Sequence, residues 1–174
     1  DFKYPPECQP RDRVVTQKEL KLLLEDLPPL VASAAELSYE TAMRRGEIVK
    51  IQKQHIEFHQ NRLYVLEAKN GYSRYVPLNA KATQILKDRL VSCNNHQILY
   101  NVTAESLSKA FRRACKRLEI TGLSFHSMRH SAITIYAQRG LSVNQLKVIS
   151  GHRSTEMLER YTHLGVKDVV SLMD

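Results

Sequence analysis

The segment SFHSMRHSAI, residues Ser124–Ile133, places two histidines and an arginine at the start of a largely apolar stretch. His126, Arg129 and His130 fall close enough together to share one face of a helix. An arginine stays charged, and burying it without a partner is costly. Arg129 therefore either pairs with a carboxylate, for which Glu47 is a candidate, or binds an anionic ligand.

The i, i+4 spacing of His126 and His130 also occurs in the helices of zinc metalloproteases. Those helices carry a glutamate next to the first histidine, whereas Ser127, Met128 and Arg129 lie between the histidines here. An arginine at this point also repels a cation. We therefore expect no metal at these histidines, and we expect the protein to need no cofactor.

The composition is that of one soluble globular domain, with 174 residues, 43% of them hydrophobic and 25% charged. A net charge of +8 favours a polyanionic partner such as nucleic acid. The three cysteines form no CxxC motif, which favours a reduced, cytosolic setting. We expect neither a transmembrane segment nor a signal peptide, because no apolar run is long enough.

Helical periodicity and capping residues predict most of the fold. Thr16 with Glu19 and Ser142 with Gln145 fit capping boxes, and Thr103 fits an N-cap. The predicted helices span about 16–27, 30–41, 81–90, 104–118, 127–139, 142–150, 156–163 and 166–173.

A change of periodicity in the middle of the chain predicts strands. The strand-like runs are HIEFH (55–59), RLYVLEA (62–68) and SRYVPL (73–78). Asn70-Gly71, between the last two runs, is the preferred pair for a tight hairpin turn. We therefore expect a mainly α-helical protein with one small antiparallel β-sheet over about 54–78, an α+β fold.

One face of the predicted helix 104–118 is strongly basic. Its cations recur at i, i+3, i+4, i+7 and i+8, and they are Lys109, Arg112, Arg113, Lys116 and Arg117. No acidic residue between Ser106 and Leu118 relieves their repulsion. The face is either solvated or directed at a polyanion, and clustered lysine and arginine favour contact with DNA phosphates.

Four further motifs carry polar residues that each have an ordinary structural explanation when taken alone. They are TAMRRGE (41–47) with Arg44 and Glu47, KNGYSRYVPL (69–78) with Lys69, SGHRS (150–154) with His152, and RYTHL (160–164) with Tyr161. Tyr161 lies nine residues beyond His152. Together with HSMRH, and in this order, the motifs resemble the tyrosine recombinase (phage integrase) family.

The resemblance covers about residues 13–164 and includes three departures from the family's usual residues. Ala42 replaces a common glycine, and Met128 and Ser150 each replace a usual leucine. The resemblance implies the tyrosine recombinase catalytic-domain fold over residues 14–174. Members of the family usually carry a DNA-clamping domain before this one. We therefore expect residues 1–13, which are rich in proline, to be the remnant of a linker.

The resemblance implies a set of six catalytic residues: Arg44, Lys69, His126, Arg129, His152 and Tyr161. Tyr161 would attack the scissile phosphodiester, giving a 3′-phosphotyrosine and a free 5′-hydroxyl that reseal without ATP or a metal. The arginines would clamp the non-bridging oxygens, and the histidines would add hydrogen bonds and help move the phenolic proton. Lys69 would protonate the departing 5′-oxygen, and Glu47 and His130 would orient the arginines.

The family resemblance also implies partners and a location. Double-stranded DNA would lie against the basic helix, and recombination would run in a homotetramer in the cytoplasm or nucleoid of a bacterial host. The apolar stripe of the tail would pack on its own domain or dock on a neighbouring protomer, and its members are Val166, Val169, Val170 and Met173.

Two alternative functions remain open from the sequence. A type IB topoisomerase uses similar chemistry, but the compact stretch GHRSTEMLERY (151–161) resembles integrases more closely. A DNA-binding module that has lost its activity is the second alternative. The presence of competent residues at all six catalytic positions argues against it.

Overall fold

The computed structural model describes residues 13–66, 73–93 and 98–162. In these ranges the chain forms mostly helices and one small antiparallel sheet, which confirms the predicted α+β class. The helices are α1 (Gln17–Asp26), α2 (Pro29–Thr41), α3 (Arg45–Ile48), α4 (Ala80–Ser92), α5 (Ala104–Arg117), α6 (His126–Gln138), α7 (Val143–Ser150) and α8 (Glu156–Glu159). Within the described ranges, none of them combines the length and apolarity that crossing a membrane requires.

Local capping chemistry determines where several helices begin. The Thr16 side chain accepts a hydrogen bond from the Glu19 N–H, and the Glu19 carboxylate accepts one from the Thr16 N–H. The box formed by Ser142 and Gln145 opens α7 in the same way, and Thr103 caps α5. These three predicted starts are confirmed, because each depends only on residues within one helical turn.

Two four-residue helices differ from the predictions. α3 was not predicted, and α8 is shorter than the helix expected over 156–163. The predicted helix 166–173, which carries the apolar tail stripe, lies outside the described residues. So do residues 1–12 of the stretch 1–13 that we expected to be a linker.

The sheet is antiparallel, in the order β1 (Ile56–Glu57), β2 (Arg62–Val65) and β3 (Arg74–Pro77). Leu63 pairs with Val76, so both of these side chains lie on the buried face. The predicted hairpin turn at Asn70-Gly71 lies outside the described residues, as does Lys69.

The predicted strand over 55–59 is wrong for most of its length. Only Ile56–Glu57 pair with β2, and 3₁₀ turns at Lys53–His55 and Phe58–Gln60 flank them. These turns satisfy their backbone groups locally, through bonds such as Asn61 N–H to Phe58 O (3.2 Å). The alternation of polar and apolar residues in this run therefore reflects partial burial of successive turns rather than a strand.

Two neighbouring hydrophobic clusters stabilise the protein, and α6 contributes to both. Met128 packs into the larger cluster, which α1, α2, α4, α5 and the sheet also form. Ala132 and Ile133, one turn further on, pack into a smaller cluster with α7 and α8. Tyr161 packs against this second cluster. The polar start of α6 thus lies where the two clusters meet, and both clusters hold it in place.

Candidate active site

The turn after α2 brings the chain back toward the start of α6. Ala42 ends α2 in the left-handed conformation, with φ of 56°, and its N–H donates to the Ser38 carbonyl. A left-handed residue is usually glycine, which accounts for the family's preference at the position where this chain has alanine. The carbonyl of Ala42 accepts a hydrogen bond from Arg129 Nη1 (2.5 Å).

Arg129 is a buried cation, with 2% of its surface exposed. Besides its bond to Ala42, its Nη2 lies 3.5 Å from both ring nitrogens of His152. Burial lowers the pKa of Arg129 to about 9, and the positive charge of Arg44 adds to the effect. No carboxylate forms an ion pair with it in the described part of the chain. A desolvated guanidinium of this kind is suited to receive an anion.

Glu47 pairs with two other arginines, so the ion pair between Arg129 and Glu47 that we considered is not formed. Its carboxylate accepts hydrogen bonds from the backbone N–H of Arg44 (2.7 Å), from Arg44 Nη1 (3.2 Å) and from Arg74 Nη2 (3.2 Å). Burial alone would raise the pKa of Glu47, but the bonds from Arg74 and Arg44 outweigh it and lower the pKa. Glu47 is therefore charged, and it is hydrogen-bonded to both the backbone and the side chain of Arg44.

Sequence reasoning gave Arg74 no role. Arg74 lies on β3 two residues before Val76, so both side chains are on the core-facing side of the strand. An arginine at a core-facing strand position indicates a buried anionic partner. That signal was present in the KNGYSRYVPL motif, but it did not identify which carboxylate is the partner.

The two candidate histidines occupy different surroundings. His126 is the first residue of α6 and is exposed. Although the residue is exposed, neighbouring protein atoms displace part of the water around its ring, and this loss, followed by the charges of Arg129 and Arg44, lowers its pKa. His152 follows α7, and its Nδ1 lies 2.7 Å from the hydroxyl of the fully buried Ser150. The serine that replaces the family's usual leucine thus has a partner in His152.

The pH dependence of stability tests the surroundings of His152. Burial, followed by the charges of Arg129 and Arg44, lowers its pKa to about 4. The unfolded chain, with a histidine pKa of about 6.5, therefore takes up a proton first as the pH falls. The free energy of unfolding should decrease between pH 6.5 and pH 4, and His152→Asn should make that decrease shallower.

Urea unfolding of the wild type and of His152→Asn at several pH values measures this slope. His59→Asn, at an exposed position outside the site, is the matched control. Equal slopes for wild type and His152→Asn would show that His152 is solvated, contrary to the structure.

The phenol of Tyr161 contacts His130. Tyr161 Oη lies 2.8 Å from His130 Nδ1, and the ring centroids are 5.2 Å apart. Arg160 Nη2 also donates to Tyr161 Oη (3.1 Å). We expected His130 to orient an arginine, but the hydrogen bond of its ring in the described residues is to this phenol. His130 is thus placed to accept the phenolic proton when its own proton is on Nε2.

Gly151 connects the end of α7 to His152, and its backbone conformation favours glycine. Its φ is +66°, and a Cβ at this position would lie 2.6 Å from Arg74 Cζ. Gly151→Ala should therefore lower the free energy of unfolding by about 1–3 kcal/mol, through backbone strain and displacement of Arg74. Gly46→Ala is the matched control, because a Cβ there meets no atom within 4 Å.

Urea denaturation of both glycine variants measures the difference. Gly46 lies within α3, so its replacement should be neutral or stabilise the protein by up to about 1 kcal/mol. A Gly151→Ala protein as stable as Gly46→Ala would contradict the packing of Arg74 beneath this loop.

The five predicted DNA-binding residues of α5 do not all face the same surroundings. Arg112 lines a cavity whose wall also includes His126 and Arg129. Arg117, at the other edge of the basic face, pairs with Asp26 of α1 through Nη2 (2.6 Å). The remaining members are exposed on the surface between these edges, and they are Lys109, Arg113 and Lys116.

In the described residues, no group of three His, Cys, Asp or Glu side chains converges as metal ligands.

Comparison with known proteins identifies the family. The model of the phage integrase family matches residues 13–167 of this chain. The chain belongs to this family, whose curated members include proteins named tyrosine recombinases. The order of the polar motifs along the chain agrees with that assignment.

The curated relatives are recombinases and integrases. The shufflon-specific DNA recombinase of Escherichia coli is 38% identical over 168 residues, covering 94% of this chain and 43% of the relative. The integrase of Salmonella phage P22 is 27% identical over 183 residues, covering 94% of this chain and 46% of the relative. This chain thus spans about half the length of the curated relatives it matches.

Solved structures share the fold. The crystal structure of XerA recombinase superposes with a TM-score of 0.71 at 19% identity, covering 92% of this chain and 63% of that one. The Tn1549 transposon integrase, in complex with circular intermediate DNA, superposes with a TM-score of 0.78 at 18% identity. That match covers 99% of this chain and 68% of the integrase. At these identities the similarity establishes the fold.

Proposed function

We propose that residues 14–174 are the catalytic domain of a site-specific DNA recombinase, with residues 1–13 as a linker. The observation that carries the proposal is the buried guanidinium of Arg129, which has no carboxylate partner in the described ranges. It lies beside His152, and the phenol of Tyr161 is close enough to influence its pKa. A buried cation near a nucleophile suits a transition state that gains negative charge.

The reaction forms one phosphoester bond and breaks another. Tyr161 Oη attacks the scissile phosphorus, and its proton passes to His130 Nδ1, which lies 2.8 Å away. The bond from phosphorus to the 5′-oxygen breaks, leaving a 3′-phosphotyrosine. Because the phosphoester energy is retained, a 5′-hydroxyl from another strand can reverse the step without ATP.

Four further side chains contact the phosphate in the proposed mechanism. Arg44 and Arg129 bind the non-bridging oxygens, because their planar donors match that geometry. His126 and His152 add hydrogen bonds to the same oxygens. The pKa of each histidine is lowered in the DNA-free protein, so both rings are neutral at pH 7. A neutral imidazole still carries one N–H that can donate to a phosphate oxygen.

Lys69 is the proposed acid that protonates the departing 5′-oxygen. It lies outside the described residues, between β2 and β3. Its assignment rests on the family resemblance of the KNGYSRYVPL motif.

Double-stranded DNA is the proposed partner. The net charge of +8 supports it, as do related structures that contain DNA, such as the lambda integrase dimer bound to a core site. We also propose a homotetramer on DNA and a cytoplasmic location. We further propose that the tail over 166–173, which lies outside the described ranges, docks on a neighbouring protomer.

Trapping of the covalent intermediate tests the function. Nicked, end-labelled duplexes with a randomised centre are mixed with the protein in the presence of a chelator. The nick lets the short 5′-hydroxyl strand diffuse away, so an SDS-resistant adduct accumulates, and its digestion should yield a nucleotide-linked peptide that contains Tyr161. Failure to form any adduct would overturn the proposal and favour an inactive DNA-binding module. An adduct accompanied by plasmid relaxation without strand exchange would instead identify a type IB topoisomerase.

A further inference from the structure

A cavity of about 850 Å³ extends from the candidate active site toward α5. His126 and Arg129 line it, together with Arg45, Ser108 and Arg112. The described lining residues thus include three arginines and a histidine but no carboxylate. Like charges in one concave space repel each other, which leaves this cavity strongly favourable for an anion.

Two of these arginines come together through Ser108. Arg45, the first residue of α3, donates a hydrogen bond from Nη1 to Ser108 Oγ. Ser108 and Arg112 are four residues apart on α5, so they are neighbours on one side of that helix. Arg45 and Arg112 therefore approach the same point from two different helices.

Neither arginine is neutralised by a carboxylate in the part of the chain that the structure describes. Arg117 provides the contrast on the same helix, because Asp26 neutralises it. On the basic face of α5, the edge at Arg112 can thus receive an anion, whereas the edge at Arg117 is paired with Asp26 of α1.

We propose that Arg45, Ser108 and Arg112 form a second phosphate subsite. It binds a phosphodiester of the DNA strand next to the one held by Arg129. This inference rests on the proposed function, since it assumes that DNA is the substrate of the adjoining site. The two arginines share one phosphate, and the Ser108 hydroxyl holds Arg45 in position to do so.

The salt dependence of DNA binding tests the subsite. Fluorescence anisotropy with a labelled duplex of random sequence gives the affinity of the 174-residue chain across a range of salt concentrations. Losing one phosphate contact should make the slope of log affinity against log salt shallower by about 0.9. We expect this change in Arg45→Gln and in Arg112→Gln, because the proposed subsite needs both guanidinium groups to hold the shared phosphate.

Lys81→Gln is the matched control, because it removes one positive charge at a position outside the predicted DNA-binding face. Its slope should equal that of the wild type, since Glu36 already pairs with this lysine (3.0 Å). The double variant Arg45→Gln/Arg112→Gln should lose less affinity than the sum of the single losses, because the two residues share one phosphate.

The outcomes separate this inference from the proposed function. Equal slopes in all three single variants, or additive losses in the double variant, would overturn the shared subsite. If the wild type still forms its covalent adduct, the proposed function survives that result. Wild-type protein that neither binds DNA nor forms an adduct would overturn both.

Discussion

Tyr161→Phe is expected to abolish the covalent adduct with nicked duplex DNA, because phenylalanine has no oxygen to attack phosphorus. The structure indicates that the change is otherwise mild. The phenol makes hydrogen bonds to His130 and Arg160, while the ring packs against the small hydrophobic cluster. Affinity for DNA should stay within about twofold of the wild type, since phosphate contacts dominate it.

A denaturing gel for the adduct and anisotropy for DNA affinity measure the two quantities separately. Tyr136→Phe is the matched control, because it removes a phenol that donates to the Glu40 carbonyl instead (2.7 Å). This control should cost about 1 kcal/mol of stability and still form the adduct. An adduct of undiminished yield from Tyr161→Phe would assign the nucleophile to another residue.

Arg129→Met should lower the rate of adduct formation by at least about 10²-fold without destabilising the DNA-free protein. The guanidinium is desolvated, and no carboxylate in the described residues forms an ion pair with it. Its pKa of about 9 in the folded protein is below the ordinary value of 12.5. The charge therefore opposes folding at every pH below 9, and this penalty is relieved as the pH rises from 9 to 12.5.

Methionine removes that charge and occupies a similar volume, so the free energy of unfolding should remain within about 1 kcal/mol of the wild type or exceed it. Arg74→Met is the informative comparison. It removes a partner from the buried carboxylate of Glu47, and it should destabilise the protein by about 2 kcal/mol.

Urea denaturation at pH 7 and single-turnover cleavage measure the two effects. A large loss of stability in Arg129→Met would show that its bond to the Ala42 carbonyl outweighs the cost of burying the charge. Arg129 would then be a structural residue, and the argument for an anion at this position would fail.

The parts of the fold that could be predicted are those that local chemistry determines. The capping boxes at Thr16 and Ser142 each involve residues within one turn, and both were found where the sequence placed them. The candidate catalytic positions were identified by motif order. The structure brings Arg129, His152 and Tyr161 into one region, although they come from separate elements.

The contacts that could not be predicted join residues far apart in the chain. Arg117 pairs with Asp26, 91 positions away, and Arg74 pairs with Glu47, 27 positions away. Neither partner is implied by the periodicity of its own element. The wrong strand prediction at 55–59 has a different, local cause, since alternation alone does not distinguish a strand from a pair of partly buried turns.

The two four-residue helices have a consequence for folding and catalysis. α3 carries Glu47 and follows Arg44, and α8 precedes Tyr161. Helices this short are unstable in isolation, because nucleation is unfavourable and few hydrogen bonds follow it. These residues therefore acquire their positions only when the surrounding core is complete. Partly folded chains should therefore lack the proposed cleavage activity toward DNA.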